Sequence, residues 1–151
     1  MYRRDRQLLP DFDGNESLYL RYGRDDFESG QLASAAIRFP RASVNRGRLS
    51  EPEDVLFAED GKYNGLGVVE FEVSDIPSNI AQEQGPTYVF FMRHVPLAGN
   101  YSHSEIWSDH ASLTGNYREP SKTVKLKFRI LLCRRITQER IRIHGVLNRA
   151  S

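Results

Sequence analysis

Ser121-Lys-Thr-Val-Lys-Leu-Lys-Phe-Arg-Ile-Leu-Leu-Cys-Arg-Arg-Ile-Thr-Gln138 is the stretch on which the fold class turns, because it satisfies two periodicities at once. Val124, Leu126, Phe128 and Ile130 alternate with Lys125, Lys127 and Arg129, the pattern of a half-buried strand. Val124, Phe128, Leu131 and Ile136 also fall on one helical stripe, and Ser121 is a residue type that caps a helix. Alternation favours strand; length favours helix for at least part of the segment. Helix is adopted here, followed by a final strand around Arg140 to Val146.

Outward from it, short strand signals dominate. The clearest is Leu66 to Val73, where Val68 or Val69, Phe71 and Val73 are separated by Glu70 and Glu72. Thr87 to Val95, bounded by Pro86 and Pro96, is the expected partner. Ser17 to Tyr22 and Asp54 to Ala58 read as further strands, the latter before an Asp60-Gly61 turn. Leu32 to Phe39 reads as a short helix or strand ended by Pro40. Residues 41–54 read as an ordered loop. Ser74-Asp75-Ile76-Pro77 reads as the start of a short helix ending near Gly85. Short strands interrupted by one or two helices predict a single α+β domain with a mainly antiparallel sheet. Its expected bounds are 15–151, with residues 1–14 a loosely ordered arm. Regular β-α-β alternation and a glycine-rich turn opening a helix are both missing, which disfavours Rossmann and P-loop nucleotide sites.

Composition narrows the class. With 151 residues, 39% hydrophobic content and a net charge of +1, the chain is large and apolar enough for its own core. Its apolar runs, such as Ile130 to Cys133, are far too short for a membrane helix, so no membrane partner is expected. Asp11, Asp13 and Glu16 follow the basic start where a signal peptide needs an apolar stretch. A lone Cys133 excludes an internal disulfide. Together these predict a cytoplasmic protein without a cofactor. Charge is uneven: residues 51–92 hold nine acids against Lys62, and residues 118–151 hold ten cations against Glu119 and Glu139. The two blocks either neutralise each other within one fold, or leave a basic C-terminal surface for an acidic protein or nucleic acid. Of the 21 cations 17 are arginine, whose planar fork suits carboxylate and phosphate.

The candidate chemistry lies between His94 and His110, which holds three of the four histidines together with Tyr101, Ser102, Ser104, Glu105, Trp107 and Asp109. From Tyr101 onward an extended chain would put Tyr101, His103 and Glu105 on one face and Ser102, Ser104 and Ile106 on the other. The histidine spacings match no helical metal pair, and no Gly-x-Ser-x-Gly elbow is present, so neither a metal centre nor a serine hydrolase is expected. Acid–base work on a phosphoester needs only histidines and cations. His103 and His94 are the expected proton carriers. Arg46 is the expected anion holder, in a loop where Gly47 would turn backbone amides toward a ligand, supplemented by Arg21, Arg38 and Arg41. Asn45, Tyr101, Ser104 and Glu105 complete the expected ligand-binding set, and RNA or a nucleotide is the expected ligand. The competing readings are a non-enzymatic module that docks through the basic C-terminal region, and a homodimer that covers an exposed Thr87 to Val95 edge.

Overall fold

The ambiguous stretch is a helix. In the computed structural model, which describes residues 12–23, 25–57, 67–113 and 116–143, Lys122–Arg134 is α-helical and Ser121 Oγ accepts the Val124 amide at 3.3 Å as its N-cap. Val124, Phe128, Leu132 and Cys133 are buried, whereas Leu126 and Ile130 are 53% and 40% exposed. The helical period therefore overrides the alternation. Lysine, leucine and arginine, which dominate the segment, are good helix formers, and the stripe at four-residue spacing is the face that packs. Phe128 is the centre of that face, with the Phe90 ring at 4.3 Å and the Phe39 ring at 5.7 Å.

The strands are β1 (Ser17–Tyr22), β2 (Phe27–Glu28), β3 (Gln31–Leu32), β4 (Ala42–Arg46), β5 (Gly67–Glu72), β6 (Asn79–Ile80), β7 (Tyr88–His94), β8 (His103–His110) and β9 (Ile141–Ile143). Seven of them form one sheet in the order β6-β7-β8-β4-β1-β5-β9, each pair antiparallel, and β2 and β3 form a separate hairpin. With α1 (Pro52–Phe57) and α2 (Lys122–Arg134), the architecture is α+β as expected. Helix α2 closes one face of the sheet. The core between them includes Leu18, Leu20, Val69, Phe71, Phe90 and Ile106, which point to that face by strict alternation. On the other face α1 packs against β1 and β5.

Several local expectations are corrected. The expected loop over 41–54 contains β4, a central strand, because Ala42 and Val44 alternate with Ser43 and Asn45 in a segment too short to stand out alone. Residues 52–57 are helix, not strand: Pro52 opens α1, Glu53 and Asp54 occupy its first turn, and Asp54 accepts the Glu51 amide at 2.8 Å. Strand β5 pairs with β1 and β9 and not with β7. The expected helix at 74–85 is one 3-10 turn, Val73–Asp75, after which the chain enters β6. Likewise 32–39 contains the end of β3 and a 3-10 turn at Ser34–Ala36. Phe12, within the expected loose arm, packs against the core. Residues 1–11, the Asp60-Gly61 turn and the chain beyond 143 lie outside the described residues.

Charge segregation resolves in part within the fold. Arg140 pairs with Asp75 at 3.0 Å and Arg142 with Glu70 at 2.6 Å, joining the basic end to the acidic middle. Arg129 and Arg135 donate to the carbonyl oxygens of Ile37 and Asp75. Gly67 is required where β5 meets its neighbours, since a Cβ there would lie 2.5 Å from the Tyr22 ring and 2.6 Å from the Ile143 carbonyl oxygen. Among the described residues no helix is long and apolar enough to cross a membrane. Strand β7 pairs with β8 along its whole length but with β6 only at Tyr88 and Val89.

The helical assignment has a direct test in urea unfolding. Phe128→Ala is expected to cost about 3–5 kcal/mol. Leu126→Lys is expected to cost less than about 0.5 kcal/mol. A large loss for Leu126→Lys would mean that the period-2 face is the buried one.

Candidate functional site

Strand β8 distributes its side chains to both faces of the sheet, and this decides which expected site residues meet. Asn45 lies opposite His103 and Ser43 opposite Glu105, so these four share the face away from α2. His94 lies opposite Ser104, and Ser104 opposite Val44, so those three point the other way. The expected alternation of His103 and Glu105 against Ser104 and Ile106 is therefore present. The expected union of His94 with His103 is not, because an even and an odd register position cannot share a face.

His103 is 4% exposed and held at both ring nitrogens. Its Nδ1 lies 2.8 Å from the Val95 carbonyl oxygen and its Nε2 lies 3.1 Å from Ser43 Oγ. A carbonyl only accepts, so in the neutral ring Nδ1 carries the proton and Nε2 accepts from the Ser43 hydroxyl. Ser43 itself is exposed. Behind this pair, Asn45 Nδ2 donates to Asn100 Oδ1 at 2.8 Å and to Ser102 Oγ at 2.7 Å, clasping the β7–β8 loop to β4.

These residues floor a cleft of about 360 Å³ whose lining includes Arg21, Arg38, Arg41, Ser43, Asn45 and His103. Tyr19, Val55 of α1, Asn100 and one carboxylate, Asp26, also line it, and Asp26 accepts the Gly23 amide at 2.8 Å. Burial, and then the neighbouring carboxylates of Glu70 and Glu51, push the Tyr19 phenol above its ordinary pKa, so it remains a protonated donor. Arg41 is 46% exposed and adopts a left-handed backbone, φ +51°. A non-glycine residue there carries strain on the order of 1–3 kcal/mol, of the kind found where a side chain is presented for a task. Its guanidinium lies 3.6 Å from Glu105 and 5.2 Å from the Tyr117 ring.

The other expected residues have different work. Arg46 is 1% exposed on the opposite face, where it donates twice to Glu16, at 2.6 and 2.7 Å, with the Phe12 ring 3.7 Å from its guanidinium carbon. It is a buried structural ion pair and not the anion holder of this cleft. The Gly47 amide donates to the Ser17 carbonyl oxygen at 2.8 Å, so it serves strand pairing instead of a ligand. His94 stacks edge-on with Tyr101, and its Nδ1 lies 3.3 Å from Ser104 Oγ. His110 stacks with Tyr88 at 5.0 Å. The three histidines do not converge. Glu105 accepts the Trp107 indole N–H at 2.8 Å beside the cleft. Ser43 and Tyr19 are the cleft residues that sequence reasoning passed over; the signal for Ser43 was the Ala42-Ser43-Val44-Asn45 alternation that also marks β4.

Next to the cleft, Trp107 and Tyr117 pack edge to face at 6.1 Å. The 116–118 segment is held there by Arg118, whose amide donates to the Ser108 carbonyl oxygen at 2.7 Å and whose Nε donates to Asp109 at 3.0 Å. Burial pushes the Tyr117 phenol up to about 12, so the ring stays uncharged. Burial alone would raise Asp109, but the bonds from Arg118 and from the His110 amide outweigh it and hold this carboxyl below its ordinary range.

Two outcomes follow for stability. Arg46→Met leaves Glu16 buried without its partner and is expected to cost about 3–5 kcal/mol, most of it recovered by adding Glu16→Leu. Denaturant midpoints of the two single variants and the double variant check this. Because the folded pKa of Asp109 is depressed, its contribution is complete above its unfolded pKa and lost as pH falls through the lower folded value. Urea midpoints of the wild type should therefore fall on acidification below about pH 4, and Asp109→Asn should flatten that fall. Compared with known proteins, the chain matches no protein family, no curated protein and no solved structure, so the chemistry of this cleft is what a functional reading rests on.

Proposed function

We propose that the cleft binds a phosphate-bearing ligand, RNA or a nucleotide, and that His103 moves a proton at its floor. The observation that carries this reading is the convergence of Arg21, Arg38 and Arg41 on a cleft floored by the Ser43–His103 pair. Guanidinium groups bind phosphate by two-point hydrogen bonds, and three of them round one cleft form a site for a dianion or a phosphodiester. Tyr19 adds a neutral donor. His103 has the remaining attribute of an acid–base group: one nitrogen is fixed by a carbonyl, and the other reaches the cleft through the exposed Ser43 hydroxyl at 3.1 Å. Nε2 takes the proton of a hydroxyl that attacks phosphorus and returns it to the oxygen that leaves, as one P–O bond forms and another breaks. Arginines neutralise the charge that builds on the phosphoryl oxygens in between. His94 has no part in this reading, and Arg46 is replaced in it by Arg41.

Titration calorimetry with a ribonucleoside monophosphate tests binding. Arg41→Gly is suited to it, because the left-handed backbone at Arg41 accepts glycine without strain. It is expected to weaken binding by about tenfold to a hundredfold, the value of one charge-assisted phosphate contact, with no loss of thermal stability. His103→Ala should remove phosphodiester turnover while leaving nucleotide binding within a few fold. Unchanged nucleotide affinity in Arg41→Gly, or no binding by the wild type, would overturn the reading.

A further inference from the structure

We infer that the aromatic wall beside the cleft is a base-stacking subsite, and that the ligand of the cleft is single-stranded RNA. This rests on the phosphate-binding reading above and names its substrate class. Phe91 of β7 lies directly opposite Trp107 of β8 on the face away from α2, and Tyr117 packs against Trp107 from the side. Phe91, Trp107 and Tyr117 are all partly exposed. Partly exposed large aromatics on the face away from α2 are positioned for contact with something flat.

Arginines interleave with the rings. The Arg93 guanidinium lies 5.1 Å from the Trp107 ring and 5.7 Å from that of Phe91, and Arg41 lies 5.2 Å from that of Tyr117. Arg41 also lines the cleft, so one residue belongs to both places. Trp107 is one strand over from Ser43 and two residues along from its partner Glu105. That is about 4.8 Å sideways and about 6.8 Å along the strand, a separation of about 8 Å. A nucleotide reaches that far from its phosphate to its base. A phosphate held by Arg38 and Arg41 therefore leaves an adjoining base over Trp107 and Tyr117, and Arg93 meets the backbone further along.

This alternation of cation and aromatic ring is the pattern by which sheets bind unpaired nucleic acid, with stacking for the bases and arginine for the phosphates. A duplex keeps its bases stacked inside and offers the wall nothing. The floor discriminates further: Ser43 Oγ and His103 Nε2 are a hydroxyl and a nitrogen, matched to a 2′-hydroxyl that both donates and accepts. The sugar of DNA has no such group.

Trp107 is the sole tryptophan, so its emission reads the subsite directly. The full chain is titrated with a mixed-sequence RNA of about eight nucleotides, its DNA counterpart, its duplex and ribose 5-phosphate, with calorimetry in parallel. The RNA strand is expected to quench Trp107, and ribose 5-phosphate to bind without quenching. Trp107→Leu should weaken RNA binding by about tenfold to a hundredfold and leave ribose 5-phosphate unaffected, with Trp107→Phe keeping most of the affinity. Wild-type quenching needs no variant to fold. Ribose 5-phosphate binding with no quenching by RNA would overturn the stacking subsite while the phosphate site stands. Equal binding of DNA or of the duplex would overturn the assignment to single-stranded RNA. Failure of every probe to bind would overturn the phosphate reading and this inference with it.

Discussion

The pairing of β4 with β8 is the constraint on which everything else in this molecule depends. Asn45 opposite His103 and Val44 opposite Ser104 fix which half of each strand faces the helix and which half faces outward. Slipping β8 by one residue against β4 would turn His103 into the core and bring Ser104 and Ile106 to the surface. Burial resists such a slip, since Ile106 and Val44 are 2% and 3% exposed and belong to the core that α2 closes. The cleft therefore inherits its geometry from apolar packing on the opposite side of the same strands.

The arginines divide along the same boundary. Arg46 sits on the helix side, where desolvation makes an unpaired charge untenable, and Glu16 neutralises it at both guanidinium contacts. Arg41, the residue immediately before β4, emerges on the outer side in a left-handed conformation and is half exposed. Arg140 and Arg142 meet acids of the middle segment, so part of the basic end is neutralised locally within the fold. Identical side-chain chemistry thus has three different roles, decided by which face and which neighbours each position receives.

Much was legible beforehand. Strands β1 and β5 and the alternation along β8 follow from strand-spaced patterning, β7 from a β-rich run between Pro86 and Pro96, and the α+β class from short strands interrupted by helix, all of which need only local sequence. The interest of the 94–110 segment was visible in its residue types. Less legible were β4, whose five residues read as loop between Pro40 and Gly47, and α1, whose six residues hold too few periods for any pattern to stand out. The helix over 122–134 was ambiguous for a physical reason: Leu126 and Ile130 extend the apolar alternation yet are left at the surface.

The sequence by itself determined that His103 and Glu105 would share a face and that His103 and Ser104 would not, because side-chain alternation is a property of one extended chain. Only the tertiary structure decided that Arg46 would be buried with Glu16 and that Ser43 would meet His103. It alone decided that Arg21, Arg38 and Arg41 would gather over them. Those are relations between strands distant in the chain, brought together by pairing and by the burial of a common core, and neither composition nor spacing carries that information.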